Sequence, residues 1–158
     1  MLRRKIDDFL LTWKKDPNHK PLIIKGARQI GKTTSIEAFG KTYKSFIEVN
    51  FLLEPTLKNI FAKGYSVDSV IKELSLQKPN SQFIPHDTLI LFDEIQAFPD
   101  ATTSLKSFCQ DRKFDVICSG SLLGINYSTI SSIAVGYKED FEMHSLDFEE
   151  FLWALGSR

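Results

Sequence analysis

The sequence predicts an α/β fold around a mostly parallel sheet, and three observations carry that reading. Short apolar runs alternate along the chain with segments whose apolar residues recur at helical spacing. The run Thr88-Leu89-Ile90-Leu91-Phe92 is almost continuously apolar, as a strand covered on both faces must be. A glycine-bounded loop separates the first apolar run from a helical segment, the order of a strand–loop–helix unit. With 158 residues, the chain fits one domain (1–158). At 42% hydrophobic and 25% charged residues, its composition excludes wholesale disorder and coiled coil. No apolar run approaches the roughly 18 residues of a membrane helix.

The elements follow in order. Leu2, Ile6, Phe9, Leu10 and Trp13 lie on one face of a helix over 2–14, and Pro17 to Pro21 form a turn, so residues 1–20 are an N-terminal helix and turn. Leu22-Ile23-Ile24 is a buried strand between Pro21 and Gly26. The helix after the glycine loop stops at Gly40. Phe46 to Phe51 form the second strand. Two short helices follow, one opened by Pro55 and one starting near Ser66 with Val67, Val70, Ile71 and Leu74 on one face. Thr88 to Phe92 form the third strand, Pro99 to Arg112 a helix, Phe114 to Cys118 the fourth strand and the neighbourhood of Phe141-Glu142-Met143 the fifth. Asp147-Phe148-Glu149-Glu150 resembles a capping box opening a last helix that Gly156 ends.

Charge is unevenly spread. Residues 1–50 hold eleven Lys/Arg against five Asp/Glu, whereas 51–100 have four against seven and 101–158 five against eight. Such asymmetry could mark a polyanion site near the front, but from charge alone ordinary surface variation is the favoured reading. Cys109 and Cys118 form no CxxC pair, and His19, His86 and His144 show no ligand spacing, so neither disulfides nor a zinc site is expected. The histidines read as surface or strand-edge residues, Cys118 as a small core residue, and Arg3-Arg4-Lys5 as a solvated helix start. Asp7 and Asp8 interrupt the basic start before an apolar stretch forms, so no signal peptide is legible and a cytoplasmic location is expected.

Two strand ends carry chemistry. Gly26-Ala27-Arg28-Gln29-Ile30-Gly31-Lys32-Thr33 matches G-x-x-x-x-G-K-[ST]. Its glycines let backbone N–H groups wrap a phosphate at a helix N-terminus. Lys32 would reach the β- and γ-phosphates and the Thr33 hydroxyl would ligate Mg²⁺. Thr34 could donate to the α-phosphate. The third strand ends in Asp93-Glu94, the Walker B pattern. Asp93 would hold Mg²⁺ with Thr33, and Glu94 would activate the attacking water. A Glu directly after the Asp is the arrangement of ATPases with an additional strand between the phosphate-loop strand and the acidic strand. The fourth strand ends in Ser119-Gly120-Ser121. If it lies between those two strands, Ser119 or Ser121 can reach the γ-phosphate as a sensor. The alternative is a serine-rich turn.

These pieces together resemble a family of bacterial and archaeal AAA-like P-loop ATPases that usually carry a C-terminal domain of unknown function. Residues 26–34 resemble its GARQxGKTT loop, Asp93-Glu94-Ile95-Gln96 its DEIQ strand end, Ser119-Gly120-Ser121 its TGS turn, and Leu146 to Leu152 its LSFEEFL helix. The resemblance implies a P-loop NTPase three-layer α/β/α sandwich with a five-stranded sheet of order 5-1-4-3-2. It implies ATP and Mg²⁺ as ligands and gives Lys32, Thr33, Asp93, Glu94 and Ser119 the roles above. It also implies an ATPase core alone, with 145–158 starting the connection to a further C-terminal region; nucleic acid could be bound only through that region, and nothing in this chain supports it. Gly136-Tyr137 stands where many relatives have Gly-Arg, so any catalytic arginine is expected from another subunit, a partner protein or that region.

The function expected is Mg-ATP binding and hydrolysis. A nucleotide-responsive switch with little turnover is the alternative. A small-molecule kinase is disfavoured because Arg3, Arg4, Arg28, Arg112 and Arg158 form no lid-like cluster, and a GTPase because no N-K-x-D occurs.

Overall fold

The computed structural model describes residues 4–26, 31–121, 132–144 and 148–156. Five strands form one sheet: β1 (Leu22–Lys25), β2 (Ser45–Asn50), β3 (Thr88–Asp93), β4 (Asp115–Gly120) and β5 (Glu139–Glu142). Their order is β2-β3-β4-β1-β5, and every adjacent pair is parallel. This is the expected order 5-1-4-3-2, with β4 inserted between β1 and β3.

Pleat alternation sends side chains to two helical layers. Ile23, Ile47, Val49, Ile90, Phe92, Val116 and Cys118 pack on one face beneath α3 (Val67–Gln77) and α4 (Leu105–Asp111). Leu22, Ile24, Leu89, Leu91 and Ile117 pack on the other beneath α1 (Lys5–Lys15) and α2 (Lys32–Gly40). The last helix, α5 (Phe148–Ala154), follows β5. β3 is buried along its whole length, which explains its lack of polar alternation. Cys118 is a core residue as expected, and burial pushes its thiol pKa up.

Several boundaries differ from the sequence reading. The segment opened by Pro55 is a 3₁₀ helix, Pro55–Phe61. The helix expected over 99–112 is 3₁₀ over Pro99–Ser104 and α-helical only from Leu105. Within that first part, Thr102 Oγ1 donates to Pro99 O and Ser104 Oγ to Ala101 O, each three residues back, a competition with the α-helical pattern typical of hydroxyl side chains. His19 is not a simple surface residue. Its Nε2 lies 2.6 Å from Asp115 Oδ1 and its Nδ1 2.6 Å from Asp16 O. Arg4 is likewise no solvated helix start, since it pairs with the buried Glu150. Among the described residues, no group of His, Cys, Asp and Glu is placed to hold a metal by itself.

Candidate phosphate and metal site

The C-terminal ends of β1, β3 and β4 meet at one cavity of about 350 Å³, lined by Gly31, Lys32, Thr33, Thr34, Asp93, Glu94, Gly120 and Ser121. In an open parallel sheet this is the end where ligands bind. Gly26 follows β1 directly, and Gly31 turns the chain into α2 with φ +89°, a left-handed angle that suits glycine. Ala27, Arg28, Gln29 and Ile30, expected in the phosphate cradle, lie outside the described residues.

Lys32 opens α2 and is 8% exposed. Its Nζ donates to Gly26 O at 3.0 Å, which lays the cation back across the base of the loop. Thr33 Oγ1 donates to Asp93 Oδ2 at 3.3 Å, so the hydroxyl and carboxylate assigned to a cation are neighbours. Asp93 is 4% exposed. Burial raises its carboxyl pKa, opposed by the Glu94 N–H, which donates to its Oδ1 at 2.8 Å, and by the Thr33 hydroxyl and the Lys32 charge. A desolvated carboxylate beside a hydroxyl is a set that fits a small divalent cation, which would restore the charged form.

Glu94 adopts φ +55° and ψ +46°, left-handed backbone rare outside glycine. Its Oε2 accepts a hydrogen bond from Gln96 Nε2. Gln96 in turn abuts the tip of β4: a Cβ on Gly120 would meet Gln96 Oε1 at 2.3 Å and the Ile95 backbone N at 3.2 Å, so a side chain there would push the Gln96 amide aside. The sequence reading quoted Gln96 within a motif but gave it no role. The signal was its spacing, two residues beyond Glu94 at a strand end.

The serines separate. Ser121 lines the cavity, whereas Ser119 is fully buried and its Oγ has no hydrogen-bond partner. By alternation with Cys118, Ser119 points to the α1–α2 side, beneath the loop rather than into the cavity wall. Arg112, at the opposite end of β4, donates to Pro17 O. A second cavity of about 350 Å³ lies there, lined by Trp13, His19, Arg112 and Asp115 among others. Its His19 and Arg112 are already engaged by the protein, and it lies at the end of the strands where this fold places no ligand.

A family model described as an AAA domain matches residues 18–152. No curated protein matches the sequence. Among solved structures, a Walker-type ATPase of Pyrococcus abyssi aligns with TM-score 0.56 and 14% identity, over 100% of this chain and 60% of that one. PCH-2 of C. elegans aligns with TM-score 0.51 and 10% identity, over 89% of this chain and 42% of that one. The chain therefore spans less than two thirds of these solved chains, and at such identities the likeness is one of fold.

Proposed function

Because the chain belongs to the AAA-domain family, whose core is an ATPase-like P-loop domain, we propose that it binds Mg-ATP and hydrolyses it. The observation that carries this reading is that Lys32, Thr33, Asp93 and Glu94, from α2 and the end of β3, face one cavity. Lys32 would exchange its bond to Gly26 O for the β- and γ-phosphates. The N-terminus of α2 adds its partial positive charge to the same anion. Thr33 and Asp93 would hold Mg²⁺. The ion, if held there, would supply positive charge against the negative charge that develops on the phosphate oxygens. Glu94 would orient a water for in-line attack and accept its proton, and Ser121, in the cavity wall, is better placed than Ser119 to contact the γ-phosphate. The test is ATP binding and phosphate release by the parent, Lys32→Ala and Glu94→Gln. Lys32→Ala should lose tight binding and keep its fold. Glu94→Gln should keep binding and lose turnover. Parent-like hydrolysis in both would overturn the assignment.

A second reading, a nucleotide-responsive switch with little turnover, is favoured by one observation: no arginine among the described residues lines the cavity. A cytoplasmic setting fits both readings. No helix among the described residues is long and apolar enough to cross a membrane.

A further inference from the structure

Arg4 precedes the family-matched segment, which begins at residue 18, yet its guanidinium reaches the phosphate loop. A Cβ on Gly31 would lie 3.5 Å from Arg4 Nη1. Arg4 Nε donates to Glu150 Oε2 at 3.1 Å, and Nη2 donates to His144 O at 2.7 Å. The same Glu150 oxygen accepts the Lys5 backbone N–H at 2.6 Å. The Arg4 and Glu150 side chains are only 13% and 6% exposed. One planar fork is thus hydrogen-bonded to α5 and to the chain leaving β5, and lies beside Gly31, which caps α2.

We propose that Arg4 is a positioning residue for the nucleotide site, tying α5 to the phosphate loop so that the placement of α5 sets nucleotide affinity. A buried ion pair holds its geometry tightly, because breaking it leaves a charge without a partner in a desolvated place. The guanidinium suits the role because its donors point in fixed, divergent directions, which an ammonium cannot reproduce. Gly31 is where small errors matter. It caps α2 directly before Lys32, in left-handed backbone that the surroundings must hold. α5 presents Glu150 inward while Phe151 on it is 48% exposed, so displacement of this helix would be felt at Gly31 through Arg4.

The inference rests on reading residues 26–34 as a nucleotide site. Its test is the affinity for Mg-ATP of the full chain, measured well below each variant's melting temperature, with Lys32→Ala as the control. Arg4→Gln and Glu150→Gln should each weaken binding roughly 10-fold, within the usual range of coupling between sites. The double variant should be no weaker than the worse single one, because both cut the same link. If Arg4→Gln does not fold, Arg4→Lys takes its place, keeping the charge without the fork, with a loss of at least about threefold expected. Folded variants that melt earlier but bind ATP like the parent would make the pair a structural clip and overturn the proposal, as would additive losses. A parent that does not bind ATP, indistinguishable from Lys32→Ala, would instead overturn the nucleotide site itself.

Discussion

Glu94 is held twice at the site, by a left-handed backbone that most side chains avoid and by the Gln96 amide on its carboxylate. Strain of this kind persists only where neighbours enforce it, and it gathers at working residues. Gln96 packs against Gly120, where a side chain would displace it. The amide therefore aims the carboxylate rather than binding the nucleotide. Gln96→Ala should leave ATP affinity within about twofold and lower kcat by roughly 10-fold or more, since small misplacements of a catalytic group are costly. Steady-state kinetics that separate kcat from KM check this, and a rise in KM alone would place Gln96 in substrate binding. Asp93→Asn should act differently. It removes the charge from the buried carboxylate proposed to hold Mg²⁺, so the Mg²⁺ dependence of binding should weaken. Titration with and without the ion reads that directly.

At the scale of elements, α1 and the turn after it are anchored to the far end of the sheet by His19. Both ring nitrogens face acceptors, Asp16 O and the Asp115 carboxylate, so the doubly protonated ring satisfies both. The hydrogen bond to Asp115 is the largest cause of a raised His19 pKa, ahead of burial, which opposes it. A raised pKa means the contribution to stability is complete below the ordinary histidine value of about 6.5 and is lost as pH rises through the folded-state value. Melting temperature should therefore fall as pH increases above about 6.5, and His19→Gln should flatten that slope; an unchanged slope would remove His19 from the account. The end of α2 offers a second test. A Cβ on Gly40 would meet the Phe46 ring of β2 at 2.7 Å. Gly40→Ala should destabilise by about 1–3 kcal/mol through overpacking, read by denaturant titration. Gly40 was legible in the sequence as a helix stop, but the ring that demands it was not, because the contact joins α2 to β2 in space. The same limit applies elsewhere. β1, β3 and β4 were legible because continuous apolar runs are local signals, and the meeting of Lys32, Thr33, Asp93 and Glu94 at one cavity because each follows an apolar strand at a motif's spacing. Arg4 with Glu150 lies 146 positions apart in sequence, and His19 with Asp115 lies 96 apart, so no pattern in the chain could announce either pair. The split of the helix over 99–112 turned on hydroxyl-to-carbonyl bonds that propensity does not rank.

At the scale of the whole molecule, where positive charge can reach the γ-phosphoryl group decides the rate. A positioned arginine is worth roughly 10³–10⁵ in turnover in enzymes of this chemistry. Arg112 is bound to Pro17 O at the opposite end of β4 and does not line the cavity. Arg4 is near the loop, but its Nε and Nη2 are committed to Glu150 and His144, so it braces the site from outside the cavity lining. Tyr137 follows Gly136, whose φ of +84° marks a turn before β5. Lys32 is then the one cation lining the cavity among the described residues. On the proposed function, one lysine leaves the charge developing on the transferred group only partly offset. The chain by itself should therefore hydrolyse ATP slowly, and turnover should rise only when a second copy or a partner supplies an arginine. Steady-state phosphate release over a wide range of protein concentration distinguishes the cases. A specific rate that climbs with concentration points to a second copy, and a rate that stays low throughout points to a partner of another kind. Fast turnover independent of concentration would contradict the argument. It would direct attention to Arg28, whose replacement by Ala should then abolish hydrolysis in cis.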